Sequence, residues 1–109
     1  MEKPMVPYLL LVSIRTPAPE HGRVLTALRT ISPDPKPAYF EKHGFGILFN
    51  CDRPLRDIHL RVYESVMSDD EYLIVELGPR WGAYGLEPAK AWLTHHLGKA
   101  QFQKAQKRR

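Results

Sequence analysis

The sequence predicts an α+β fold, because strand-like and helix-like segments follow one another in an order that builds one sheet with helices packed on it. Residues 8–14 form a nearly unbroken apolar run, which is typical of a central strand. Apolar residues recur every three or four positions in residues 20–31 and 54–67, which predicts two helices. Residues 45–51 and 71–77 alternate with a period of two, as strands do.

The first strand is apolar on both faces, so both sides of the sheet must be covered at this strand. Two prolines follow it and end it. The first helix then carries three apolar residues on one face: Val24, Leu28 and Ile31. Residues 32–37 include three prolines, which predict an extended loop.

A hairpin follows this loop, with a short strand at residues 38–41 and a longer one at residues 45–51. Alternate residues of the longer strand should point into the core: Phe45, Ile47, Phe49 and Cys51. We expect Cys51 to be a buried, unreactive thiol. On the other face Gly46 has no side chain, so another group is expected to pack against it.

Asp52 is the predicted N-cap of the second helix, with a proline in the first turn. One apolar stripe is expected to face the core, and we assign to it Leu55, Ile58, Val62 and Val66. The last strand should place Leu73 and Val75 on one face of the sheet.

A loop rich in glycine and aromatic residues leads to a third helix at residues 87–97. We interpret Trp81 and Tyr84 as a lid over the open face of the sheet, and a second subunit or the third helix could cover it instead. The alternative is that Trp81 and Arg80 stack on bases and contact phosphates.

The whole order of elements is that of the ferredoxin-like βαββαβ plan with an added C-terminal helix. We expect a single domain over residues 1–97, followed by a basic tail over residues 98–109.

The net charge of +4 comes from this tail. Residues 1–97 carry 11 Lys and Arg against 12 Asp and Glu. Such a tail can bind phosphates without sequence preference, or it can simply be a solvated end. The tail contains no acid and five basic residues: Lys99, Lys104, Lys107, Arg108 and Arg109.

The sequence contains no P-loop, no His-Glu-x-x-His and no Cys-x-x-Cys. His95 and His96 are adjacent, so on a helix they point apart and are poor joint ligands of one metal. We interpret Asp69-Asp70-Glu71 as turn formers rather than cation ligands. No cofactor, metal or membrane span is expected, and a cytoplasmic location is the default expectation.

Three stretches, residues 45–52, 55–57 and 68–77, resemble the small CRISPR-associated adaptation-nuclease-like family and its stand-alone relatives. The resemblance implies a ferredoxin-like homodimer that contacts nucleic acid. Nuclease members of that family carry a metal-binding aspartate at the end of the first strand. This chain has Arg15 and Thr16 there, which cannot replace a carboxylate ligand, so metal-dependent cleavage through that site is not expected.

The leading prediction is a non-catalytic homodimer that binds nucleic acid or a nucleoprotein partner through Arg15, Arg80, Trp81 and the basic tail. The second hypothesis is a protein–protein interaction module, such as an inhibitor from a mobile element, that acts through its sheet or an exposed edge strand. The third is a divergent nuclease that uses Asp52, Asp69 or Asp70.

Overall fold

The computed structural model describes residues 4–15 and 20–99, with side chains from residue 22 onward in the second range. It confirms the predicted α+β class and the order of the strands and helices. The four strands form one antiparallel sheet in the order β2-β3-β1-β4. The elements are β1 (Val6–Ser13), α1 (Glu20–Arg29), β2 (Lys36–Glu41), β3 (Gly44–Cys51), α2 (Leu55–Ser65), β4 (Glu71–Glu76) and α3 (Glu87–Leu97).

The first face of the sheet carries the main core. Side chains of β1 and β3 that point to this face pack against α1 and α2, with Leu10, Phe45 and Phe49 fully buried. The predicted helix faces are confirmed for α1 and in part for α2, which buries Ile58 and Val62. Cys51 is buried here as expected, and burial raises the pKa of its thiol.

On the second face a smaller cluster covers the middle of the sheet. Leu9 and Leu48 pair across β1 and β3, and α3 packs Ala89 and Trp92 over them. The Trp92 indole also donates a hydrogen bond to the carbonyl of Asp34 at 3.4 Å. The third helix therefore supplies the cover that the doubly apolar first strand required.

The predicted lid of Trp81 and Tyr84 is wrong. Tyr84 is 72% exposed, and Trp81 lies outside the cluster that covers the sheet. Instead the Trp81 indole donates to the carbonyl of Gly98 at 3.1 Å, which ties the loop to the end of α3. Trp92, on α3, packs against the sheet in place of the two aromatic residues of the loop.

Gly46 has a close neighbour, as its missing side chain predicted. The ring of Tyr39, its cross-strand partner on β2, lies over it, and a Cβ at this position would come within 2.6 Å of Tyr39 Cε1. β2 starts earlier than predicted, at Lys36, and a register shift between Pro37 and Tyr39 accommodates the proline at the sheet edge.

The start of α2 also differs from the prediction. Asp52 is not its N-cap, because the helix begins at Leu55 and the capping position is Pro54, whose side chain makes no capping hydrogen bond. Leu55 was assigned to the buried stripe, yet it is half-exposed.

Within residues 4–15 and 20–99 there is no helix with the length and apolar character needed to cross a membrane.

Candidate functional site: a groove beside the edge strand β4

The residues predicted to contact nucleic acid are divided between two ends of the sheet. Arg15 follows the end of β1 and is exposed, and its backbone N–H donates to Asp70 Oδ1 at 3.3 Å. Arg80 and Trp81 follow the end of β4, which runs antiparallel to β1 and so finishes at the opposite end. β1 has 8 residues, and a strand of that length spans about 26 Å. Arg15 therefore lies roughly one strand length from Arg80 and Trp81.

One part of the predicted set does come together. Because the Trp81 indole is bonded to the carbonyl of Gly98, it lies next to the exposed Lys99. Lys104, Lys107, Arg108 and Arg109 lie outside the described residues.

The acidic residues of the nuclease hypothesis do not share one site. Asp52 follows the end of β3, while Asp69 and Asp70 precede β4, at the opposite end of the sheet. Asp70 anchors the turn, since Oδ2 accepts the N–H of Met67 at 2.9 Å and Oδ1 accepts that of Arg15. Among the described side chains, no group of three or more His, Cys, Asp or Glu residues is arranged to hold a metal ion.

The adjacent histidines lie at the end of α3. The sequence predicts that His96 packs at the edge of the core and that His95 is solvated, and the structure agrees. The ring of His96 lies 4.1 Å from that of Trp92, and His95 is exposed. Burial, and next the neighbouring His95, lower the pKa of His96, while Asp34 opposes the shift. A neutral imidazole packed on an indole is a structural contact.

A concave surface lies between α2 and β4, and we call it the α2–β4 groove. Its volume is about 950 Å³. One wall is a row of residues spaced by four positions: Leu55, His59 and Tyr63 on α2, and Met67 just after its end. The other wall is β4, which contributes Tyr72, Leu73 and Ile74.

Three aromatic rings, those of His59, Tyr63 and Tyr72, line this groove. The Tyr72 hydroxyl lies 3.0 Å from Nδ1 and 3.3 Å from the carbonyl oxygen of His59, which fixes both rings. The His59 ring also stacks on that of Tyr63, with centroids 6.2 Å apart, and Tyr63 is 64% exposed. Burial, and next the Tyr63 phenol, raise the pKa of Tyr72, so its hydroxyl stays protonated at neutral pH.

The two ends of the α2–β4 groove carry opposite charge. Arg56 lies in the first turn of α2, at one end. Asp70 and Glu71 lie where β4 begins, next to the end of α2. A bound chain segment would therefore meet a direction-dependent field along the groove.

β4 is also an edge strand. It stands at the end of the sheet order, and among the described residues its only strand partner is β1. Half of its backbone N–H and C=O groups therefore point outward beside the groove. An unpaired strand edge next to an apolar groove can accept an extended chain, with backbone bonds on one side and side-chain pockets on the other.

Sequence reasoning missed this groove, although a signal was present. Leu55, His59 and Tyr63 form a second, largely apolar and aromatic row on α2, which Met67 continues beyond the end of the helix. From the sequence, Leu55 was expected in the core, with His59 and Tyr63 at its edge.

No family model matches this chain, and no curated protein and no solved structure matches it. The resemblance seen in the sequence therefore stays a prediction.

Proposed function

We propose that this chain is a non-catalytic protein-interaction module that binds an extended segment of a partner protein in the α2–β4 groove. The observation that carries the proposal is the coincidence of two features at one place: the outward-facing edge of β4 and the apolar, aromatic groove beside it. The edge supplies hydrogen bonds to any extended backbone, and the groove selects among side chains.

The exposed apolar residues around the groove support this proposal. Leu55, Met67 and Leu73 are about half-exposed, and the Tyr63 ring is mostly exposed. Contiguous apolar exposure of this kind on a small protein is typical of an interaction surface. Tyrosine is also the kind of residue on which binding energy concentrates.

We also propose that the fold is the ferredoxin-like arrangement. The sheet order and the antiparallel pairing of every neighbouring strand support it, as does the packing of α1 and α2 on the same face. The assignment describes the scaffold and implies no activity.

The test is selection of displayed random peptides on the full-length chain. We expect enrichment of extended sequences with alternating apolar residues, whose affinity falls about tenfold or more in Tyr63→Glu, since an interface anchor is worth about 2 kcal/mol. Leu60→Glu is the matched control, because Leu60 is half-exposed on the same helix but does not line the groove.

The proposal is overturned if no peptide is enriched, or if the enriched peptides bind the Tyr63 and Leu60 variants equally. A homodimer, which the sequence analysis predicted, would use a second copy at the same edge. Light scattering detects that outcome as a doubled mass, and it would replace the peptide with a second chain as the occupant of β4.

Nucleic-acid or nucleoprotein binding is the second candidate function, and one observation favours it. The bond from Trp81 to Gly98 places an aromatic ring and Lys99 where the basic tail begins, close in sequence to Arg80. Because Arg15 lies at the far end of β1, this candidate predicts that Arg80→Ala weakens binding and that Arg15→Ala does not. Mobility shifts at two salt concentrations test it, and an absence of any shift at low salt removes it.

A further inference from the structure

We propose that the partner segment bound at the α2–β4 groove is an antiparallel strand in which a Lys or Arg directly follows three apolar residues. The inference rests on the proposed function and deepens it, because it names the direction, the pattern and the charge of the occupant. The basic side chain faces Glu71, and the first and third apolar side chains enter the groove.

The alternation of backbone groups along β4 decides which of its residues can bond to a new strand. β4 pairs with β1 without a register shift, and the N–H of Leu77 donates to the carbonyl of Pro7 at 2.9 Å. In an antiparallel pair, every second residue turns its N–H and C=O toward the partner strand. The odd-numbered residues of β4 therefore face β1. The even-numbered residues face outward and can bond to an added strand: Tyr72, Ile74 and Glu76.

The side chains of an added strand follow from the same alternation. Residues directly opposite each other on paired strands lie on the same face of the sheet. Segment residues opposite Tyr72 and Ile74 therefore point to the first face, where the exposed Tyr63 and Met67 border the groove. The residue between them points to the second face, opposite the half-exposed Leu73. Apolar side chains at all three positions would remove apolar surface of the groove and of β4 from water.

The charges at the two ends of the groove set the direction of the segment. Glu71, at the start of β4, is exposed and lines the groove, whereas Arg56 lies at the other end. Antiparallel pairing is the more stable geometry, and it places the residue that follows the third apolar one opposite Glu71. A Lys or Arg there gains an opposite charge across the strand pair. A basic residue at the other end of the segment would approach Arg56 instead.

The contrast between the two edge strands explains why β4 is the one that accepts a partner. β2, at the other edge, contains Lys36 and Pro37, and its register shifts between Pro37 and Tyr39. Lysine, proline and irregular pairing are features that protect an edge strand from further pairing. β4 contains neither Lys nor Pro and pairs regularly along its length, so its outward groups form an uninterrupted ladder.

A second copy of the chain fits this edge less well than a basic segment does. Two β4 strands paired with each other would bring Glu71 and Glu76 of both copies to one seam. Like charges gathered along a strand pair destabilise it. The other edge that a second copy could offer is β2, with Pro37 and its register shift. The occupant with complementary charge is therefore a segment of a different protein.

Two peptides of the same composition test the proposal on the full-length chain. The first is acetyl-Ser-Gly-Ile-Val-Tyr-Lys-Gly-Ser-amide, and the second moves the lysine in front of the isoleucine. We expect the first peptide to bind about fivefold more tightly, because it alone places its charge opposite Glu71. NMR titration measures both dissociation constants. Equal affinities, or no binding of either peptide, overturn this inference. The proposed function fails only if the selection of random peptides also fails, so the two failures are distinguishable.

A charge reversal tests the pair with Glu71 alone. In Glu71→Lys, a peptide with glutamate in place of the lysine should bind more tightly than the first peptide, which reverses the preference of the natural chain. Glu41→Lys is the matched control, because it makes the same change at an exposed position of β2 and should leave the preference as it is. The charge pair is overturned if Glu71→Lys does not reverse the preference, or if Glu41→Lys reverses it too.

N-methylation of the first peptide tests the backbone bonds. In the proposed register the amides of its isoleucine and tyrosine face β4, while the amide of its valine faces away. Methylation of either of the first two should weaken binding about tenfold, and methylation of the valine should change it little. A loss at the valine instead would place the segment one residue out of register and overturn the proposal. A doubled mass in light scattering that the peptide reverses would assign the edge to a second copy and also overturn it.

Discussion

The first face of the sheet is closed by α1 and α2, whereas α3 covers the second face over only part of its width. On the first face, Leu10, Phe45 and Phe49 have no exposed surface. On the second face, Leu73 is 50% exposed and Val75 43%. Both faces are apolar, so the difference does not come from hydrophobicity. It comes from the number of helices that lie on each face. The first face therefore carries most of the buried core, and the proposed recognition surface lies at the margin beside β4.

The largest expected effect is on the closed face. Phe49→Ala should lower the free energy of unfolding by about 3–5 kcal/mol, because it empties a fully buried site and removes the stack of Phe49 on Tyr8. Leu73→Ala, on the open face, should cost about 0.5 kcal/mol or less. Urea denaturation measures both, and similar losses in the two variants would contradict the contrast between the faces.

The partial cover on the second face gives the next largest effect. Trp92→Ala should cost about 3 kcal/mol, since Trp92 is 6% exposed and packs over Leu48. Trp81→Ala is the comparison, because Trp81 is partly exposed and lies outside that cluster. A loss of about 1 kcal/mol is expected for it, from one hydrogen bond. A larger loss of unfolding free energy in Trp81→Ala than in Trp92→Ala would show that the loop, and not α3, covers the second face.

A third test concerns the close contact on the second face. Gly46→Ala should cost about 1–2 kcal/mol, because the new Cβ would meet the Tyr39 ring and force it to move. In the double variant Gly46→Ala with Tyr39→Ala, the clash is absent. Its loss of unfolding free energy should therefore be smaller than the sum of the losses in the two single variants. Gly78→Ala has no atom within 4 Å of its new Cβ and serves as the control. Strict additivity would show that the ring does not constrain Gly46.

The sequence predicted the fold more fully than the site, and α2 shows why. The spacing of apolar residues identifies a helix or a strand from local sequence alone. Every element in the structure was therefore predicted, and α3 has the predicted limits. α2, however, carries two apolar rows, and the sequence does not say which one the rest of the chain covers. Ile58 and Val62 are buried because residues of α1 and the sheet pack against them. The row that contains Tyr63 instead lies beside the edge strand β4. That choice depends on tertiary packing.

The smallest expected effect is a pH dependence at the margin of the second face. The folded pKa of His96 is lowered, chiefly by burial and next by His95, below the value of about 6.5 for an unfolded chain. The unfolded chain then binds more protons in the window just below that value, so stability is highest above pH of about 6.5 and falls as the pH drops through the window. Because His96 is only partly buried, a few tenths of a kcal/mol are expected.

His96→Gln should remove this part of the pH dependence, measured as the difference in unfolding free energy between pH of about 5 and 8. Thr94→Ala, an exposed and non-titrating change on the same helix, should keep it. If His96→Gln leaves the difference unchanged, the imidazole is as well solvated in the folded chain as in the unfolded one. The packing of α3 on the second face would then be looser than the contact between His96 and Trp92 indicates.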